Sequence, residues 1–515
     1  MVLRGYPLAL WAAAACAGYG LALGRFLGIQ GNLGDAGVLG LLCLAILGCA
    51  LHFFTALSLP VQLVVLGAGT ALLLLFRSEL RSRVAASPIA LLAGASAFFH
   101  QQAITLLDNG LYHLQTIEWN SQFPITPGLG NLHGRLAFNS SLFLMAPLDD
   151  RLAMGWISNL LLLMFVLMSC AARIPQVRRN RAEFWFLCLT TATLAILPQT
   201  FRLVGVLNAD AFSALLILYW FAVALSASSD AHSNAAVLVL TAAFACTVKI
   251  SAAPLLPFAA AAVWIWRKTP EVHLARAFAV AVLFLAMWGA RGVALSGCAV
   301  YPAGPTCVFG LPWAVSSQQV ALEALSTRAW GRDPWRFDYQ AVMAGWAWLP
   351  SWIGRAVAAP SVRVFLAGLA GGILAAMSGA RLGRLWKGVA GAVAVGVLYW
   401  FVTVPDPRFG TGFLVAAGLA GLSAACAAWL PEPDFLRRLA IEVIVAAILI
   451  GLPGFFQDGT TWSATENPIY DLKSAPGEKP IWVPRAPYLT CWDHAVPCSP
   501  YFRPSDLRRV RWRSP

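Results

Sequence analysis

The sequence predicts an all-α, polytopic transmembrane bundle, and three observations carry that expectation. Apolar runs near the ~20 residues that cross a bilayer recur along almost the whole chain. Hydrophobic residues fill 59% of the 515 positions and charged residues only 11%, against the ~25% of a soluble domain. Mean hydropathy is +0.70. Backbone groups in lipid must bond one another, so such runs imply helices; a β-barrel would show short alternating segments instead.

Spans are expected near 6–24, 37–56, 59–76, 87–106, 152–172, 184–200, 210–227, 234–249, 253–266, 277–296, 363–380, 386–404, 411–429 and 438–456, about 13–14 in all. The first run follows a lone Arg4. It lacks a small-residue cleavage site before Arg25 and is read as a helix, not a signal peptide. Residues 1–86 then form extra N-terminal helices, 87–456 a core with long loops at 107–151 and 298–361, and 457–515 a tail rich in Pro, Trp and Arg.

The net charge of +13 does not point to nucleic acid. Arg77, Arg81 and Arg83, then Arg173, Arg178, Arg179 and Arg181, then Arg267, Lys268 and Arg276, then Arg381, Arg384 and Lys387, then Arg437 and Arg438 all fall on one side when the spans alternate. Clustered loop cations mark the cytoplasmic side. The two long loops and the tail then face outward.

Cysteines give an independent reading of sidedness. Seven of the eleven lie in expected spans. Cys298, Cys307, Cys491 and Cys498 lie in the outward segments, where an even number favours disulfides within each close couple, with cross-pairing open. In the run Cys491-Trp-Asp-His-Ala-Val-Pro-Cys498, His494 could add a metal ligand but a fourth is not evident, so the metal reading is weaker than the disulfide.

The densest polar text is Asp108-Asn-Gly-Leu-Tyr-His-Leu-Gln-Thr-Ile-Glu-Trp119, followed by Gly128-Leu-Gly-Asn-Leu-His-Gly-Arg-Leu-Ala-Phe-Asn139. Asp108 is placed to cap a helix starting at Asn109. Leu111, Leu114, Ile117 and Trp119 fall on one face and His113, Glu118 and Asn120 elsewhere, the pattern of an amphipathic helix on a membrane surface. A second short helix is expected over 132–144. His113, Glu118, His133, Arg135 and Asn139 are candidate binding residues beside Asp108. Asp210, Lys249, Arg291 and Arg408 sit at span ends on the same side. A charge at bilayer depth costs ~2.5–3.5 kcal/mol on insertion scales, so such groups are paired or functional. Snorkelling to the interface is the alternative for each. Cations gathered there would suit a phosphate or pyrophosphate.

These features resemble the GT-C superfamily of polytopic membrane glycosyltransferases. The resemblance rests on Asp108 with Leu111-Tyr112-His113 in the first long loop of the core, on Thr247-Val-Lys249-Ile-Ser251 at a span end, and on Pro405-Asp-Pro-Arg408-Phe near the last core spans. The run from Gly128 to Asn139 is also similar to part of a bacterial polytopic family of unassigned function. Asp108 is followed by Asn109 rather than by the family's second acid, and three spans rather than one precede the core.

The resemblance implies inverting sugar transfer from a polyprenyl-phosphate donor to a glycan, lipid or protein acceptor. Asp108 would be the general base, and Arg408, Lys249 or Arg135 would steady the phosphate leaving group. No cofactor is fixed, and a divalent metal stays open. Two other classes compete. A transporter or flippase would share the charges, but neither a hydropathy repeat nor paired broken spans are visible. A non-catalytic assembly subunit would leave the polar residues scattered.

Overall fold

The computed structural model describes residues 2–85, 88–100, 107–145, 157–177, 181–196, 207–226, 231–266, 274–379, 384–430, 469–474, 479–486, 490–492 and 494–512. Its helices are α1 (Val2–Phe26), α2 (Leu33–His52), α3 (Leu59–Leu75), α4 (Arg77–Ala85), α5 (Pro88–Ser96), α6 (Leu114–Gln122), α7 (Ile157–Arg173), α8 (Arg181–Ile196), α9 (Ala209–Leu225), α10 (Ala231–Val248), α11 (Leu255–Trp266), α12 (Leu274–Ser296), α13 (Ser317–Arg332), α14 (Tyr339–Met343), α15 (Leu349–Ala358), α16 (Pro360–Met377), α17 (Arg384–Thr403) and α18 (Pro407–Trp429). Strands β1 (Tyr470–Lys473) and β2 (Ile481–Pro484) pair antiparallel in the tail.

Helices occupy the expected span positions, except that 438–456 lies outside the described residues. Among the described residues, seven helices are long and apolar enough to cross a membrane, or eight if the bent pair α3–α4 is one span. The chain is a multi-pass helical membrane protein. Several spans are shorter than expected. Of these, α9 is apolar on every side and buried from Ala211 to Leu225, as befits a central helix. Around the outside, Leu366, Leu369 and Ile373 on α16 and Val395, Leu398 and Val402 on α17 are exposed, a surface suited to lipid.

In lipid, helices associate by close packing rather than by a hydrophobic drive, so small residues mark the contacts. On α16, a Cβ on Gly368 would lie 2.2 Å from the Gly418 carbonyl oxygen of α18. The backbones touch because no side chain separates them.

Two polar clusters sit at opposite ends of this bundle. At one end Asp35, 1% exposed, begins α2. Its Oδ1 accepts hydrogen bonds from Arg173 Nη1 at 2.8 Å, Ser169 Oγ at 2.8 Å and Tyr219 Oη at 2.7 Å, and its Oδ2 accepts from the Asn32 backbone N–H at 3.0 Å. Arg173 Nε donates to Ser226 Oγ at 2.8 Å. Arg276, early in α12, reaches the Phe26 carbonyl at the end of α1. Helices α2, α9 and α12 run from here to the other end, where His52, Asp210 and Arg291 lie.

Arg173 therefore departs from its expected place in a loop. It is the last residue of α7 and 4% exposed, turned inward by a carboxylate 138 positions away. The expected helix over 132–144 is instead 3₁₀ turns at Gly134–Ala137 and Ser141–Leu144, split by extended backbone at Ser140. Breaking a buried pair from one side strands a charge, at a cost of ~3–5 kcal/mol. Arg173→Met should lower thermal stability in detergent by that order, and adding Asp35→Leu should recover most of the loss. A double variant whose loss equals the sum of the two single losses would show the two groups to be uncoupled.

Candidate functional site

The loop after α5 opens with Asp108 and a π-helical turn, Asn109–His113, that runs into α6. Such turns are rare and recur at functional sites. Asp108 does not cap it: the residue is itself αR and its carboxylate accepts no bond from the turn. The expectation of a capping role is corrected by where the oxygens go. Oδ1 faces Arg135 Nη1 at 3.3 Å, and Oδ2 faces Arg408 Nη1 at 3.2 Å.

Each guanidinium is positioned by local chain chemistry. Asp406 caps α18 by accepting from the Arg408 backbone N–H at 3.0 Å, and Pro407 fills the first helical position, where a missing N–H costs nothing. Arg408 is then forced out of the first turn toward Asp108. Its Nε also lies 3.5 Å from Asp406 Oδ2 and 4.0 Å from Asp210 Oδ2. Asp210, in the first turn of α9, is ion-paired with Lys249, one residue beyond α10. Lys249 Nζ also lies 3.7 Å from the Phe409 ring centroid, a cation–π contact. Arg135 Nε is 3.8 Å from Glu323 Oε1 on α13.

Five residues singled out in the sequence thus meet in one ionic network: Asp108, Arg135, Asp210, Lys249 and Arg408. Sequence reading missed two members. Asp406 stood inside a quoted motif, and its acidity beside Arg408 was the available signal. Glu323 carries no local signal; only the fold brings α13 over Arg135.

The other candidates stand apart from Asp108 to different degrees. His113 is buried next to the network, with Nδ1 2.8 Å from Asn109 Oδ1. Asn139 and Arg291 belong to a second buried web. Arg291 donates to Asn139 Oδ1 at 2.5 Å, to Asn120 Oδ1 at 3.0 Å and to His52 Nδ1 at 3.3 Å. His133 packs edge-on against Tyr501 in the tail. Glu118 accepts from Gln122 one helical turn on.

The tail explains why α6 does not lie bare on a membrane surface. Gln115 Nε2 donates to the carbonyls of Trp492 at 3.1 Å and His494 at 2.7 Å, and Trp492 N–H donates to Gly110 O at 2.8 Å. Trp492 lies so close that a Cβ on Gly110 would come within 2.5 Å of its ring. The Cys491–Cys498 disulfide closes this tail loop, and Cys298–Cys307 closes the loop after α12, the pairing within couples favoured by spacing. Among the described residues, α15 exposes the apolar Ile353 and Val357 and joins α16 through Ala359 alone, a setting suited to a membrane interface.

Burial would raise the Asp108 carboxyl, but Arg408, Arg135 and Lys249 outweigh it and hold it below the ordinary range, so it is ionised at neutral pH. Burial lowers His113 to about 4 and His133 to about 3, so both rings are neutral. Burial raises Glu323. Among the described residues, no group of three or more His, Cys, Asp or Glu could hold a metal ion.

The fold and this network define a polytopic helical membrane protein with a charged site built at one end of its bundle. Over residues 8–415 the chain matches the model of a family described as a domain of unknown function (DUF8201), and it belongs to that family. No curated protein and no solved structure matches it.

Acid stability tests the electrostatics. Between pH ~6.5 and ~4 the unfolded chain protonates His113 and His133 while the fold does not, so stability falls as pH falls through that window. The loss from pH 7 to 5 should be about 1–2 kcal/mol per histidine. Glu323 works in the opposite direction, so the comparison is between variants: His133→Gln should melt with a visibly weaker pH dependence than wild type. An unchanged dependence would mean that His133 is not held neutral.

Proposed function

We propose that the chain is an inverting, GT-C-type membrane glycosyltransferase. It takes a sugar from a polyprenyl-phosphate donor and delivers it to an acceptor hydroxyl at the Asp108 end of the bundle. The observation that carries the reading is the placement of one carboxylate between two guanidinium groups, Arg135 and Arg408, with Lys249 beside them, at a membrane exit.

That arrangement suits a reaction that ends in a free phosphate. The acceptor oxygen attacks the anomeric carbon, and the bond from that carbon to the donor phosphate oxygen breaks. The electron pair stays on the phosphate, and the acceptor proton passes to Asp108. At rest the two guanidinium groups make Asp108 a weak base. A donor phosphate competes for those cations, because bidentate guanidinium–phosphate contacts are strong. As Arg408 and Arg135 turn toward it, Asp108 regains basicity beside the acceptor, and the same cations stabilise charge as it grows on the leaving group.

Sidedness supports the reading. The far end carries Arg77, Arg81, Arg83 and Arg276, as a cytoplasmic end does. Both disulfides lie at the Asp108 end, as an oxidising periplasm allows. We place the site on the periplasmic face of a bacterial inner membrane.

In membranes supplied with a radiolabelled polyprenyl-phosphate sugar, Asp108→Asn should cut transfer by about 10²–10⁴-fold, the usual worth of a positioned base. Arg408→Gln should also lose turnover. Undiminished transfer by Asp108→Asn removes the base from the reading, and movement of donor across the membrane without a covalent product identifies a flippase instead.

A further inference from the structure

The end of the bundle away from Asp108 holds a cavity of about 250 Å³. It opens between the α1–α2 connection, α4, α5 and α7, and its polar lining comes from Gln30, Asn32, Ser82, Arg83 and Gln176. At ~30 Å³ per water molecule, this is room for a phosphate with part of its ester substituent.

Arg83 is the charge in this lining. It is partly buried, and no hydrogen bond or ion pair commits its guanidinium among the described residues. The nearby carboxylates are engaged elsewhere. Asp35 gives Oδ1 to Arg173, Ser169 and Tyr219 and Oδ2 to the Asn32 backbone, and Glu79 is ion-paired with Arg25. A half-buried guanidinium left over after its neighbours have paired calls for an anion from outside.

The setting of α4 indicates which anion can reach it. This helix turns by 75° from the axis of α3 and carries Arg77, Arg81 and Arg83 within nine residues. A basic helix bent off the end of a span is suited to the head-group layer, where its cations are drawn to an anionic surface. We infer that this cavity is a phosphate-binding site, seated on Arg83 with the amides of Gln30, Asn32 and Gln176 around it, and that it takes the phosphodiester of an anionic lipid or free phosphate. It is separate from the Asp108 network and does not rest on the transferase reading.

The test uses the purified full chain in a neutral detergent. Melting is followed with added phosphatidylglycerol, phosphatidylcholine or inorganic phosphate, and native mass spectrometry counts retained lipid. Phosphatidylglycerol should raise the melting temperature and remain bound, and phosphatidylcholine should do neither. Arg83→Gln should abolish the shift. Arg81→Gln, which removes an equal charge from the same helix outside the cavity, should retain it. An Arg83-dependent shift with inorganic phosphate alone assigns the site to the free anion. No shift with either anion, or an equal shift in Arg83→Gln, overturns the site. So does an equal loss in Arg81→Gln, since it would reduce the effect to surface charge.

Discussion

Arg408 touches carboxylates from three separate parts of the chain: Asp108 after α5, Asp210 at the start of α9 and Asp406 beside it. A charge near bilayer depth must be matched, and this one is matched from several directions. The consequence reaches well beyond the ion pairs. Asp406 and Pro407 start α18 where they do because an N-cap and an N1 proline are satisfied there. That start aims Arg408 at the loop. Asp108 is thereby drawn away from the turn it precedes, and its backbone enters a π-helical turn without the help of its side chain.

The two ends of the bundle solve the same electrostatic problem differently. Asp35, Ser169, Arg173 and Tyr219 are all buried and bonded within one cluster, and α2, α7 and α9 are locked together. Around Asp108 the groups are partly open: Asp108 is 21% exposed at its side chain and Arg408 44%. Its ion pairs are longer, at 3.2 and 3.3 Å against 2.8 Å for Asp35–Arg173. Longer pairs in partial solvent exchange partners at modest cost, whereas a fully bonded buried pair does not. The Asp35 cluster is therefore a clamp, while the Asp108 cluster keeps charges that an incoming ligand can re-pair.

Helix positions were legible in the sequence because the bilayer imposes one requirement on every span, and an apolar run of adequate length meets it. Convergence of Asp108, Arg135, Asp210, Lys249 and Arg408 was legible in part, since alternating spans put all five at one end. Local rules failed where distant partners decide. An Asp before Asn-Gly reads as a cap until two arginines from elsewhere claim its oxygens. Arg173 reads as a loop cation because Arg178 and Arg179 follow it, and nothing nearby points to Asp35. The helix 114–122 reads as lying on a membrane surface because the residues that roof it at Gln115, Trp492 and His494, come 377 and 379 positions later. Glu323 had no readable signal at all.

The roof matters for the chemistry. The tail closes over Gly110 and Gln115 and so covers one side of the π-helical turn, while the Asp108 side chain beside Arg135 and Arg408 is only 21% exposed. A carboxylate in bulk water has no use for a phosphate to release it, since solvent already screens its neighbours. A carboxylate with limited access feels each guanidinium strongly, and loses that stabilisation when an anion takes the guanidinium away. Under the proposed transferase reading, base strength at Asp108 would follow occupancy of the phosphate position and so tie proton removal to the presence of a donor.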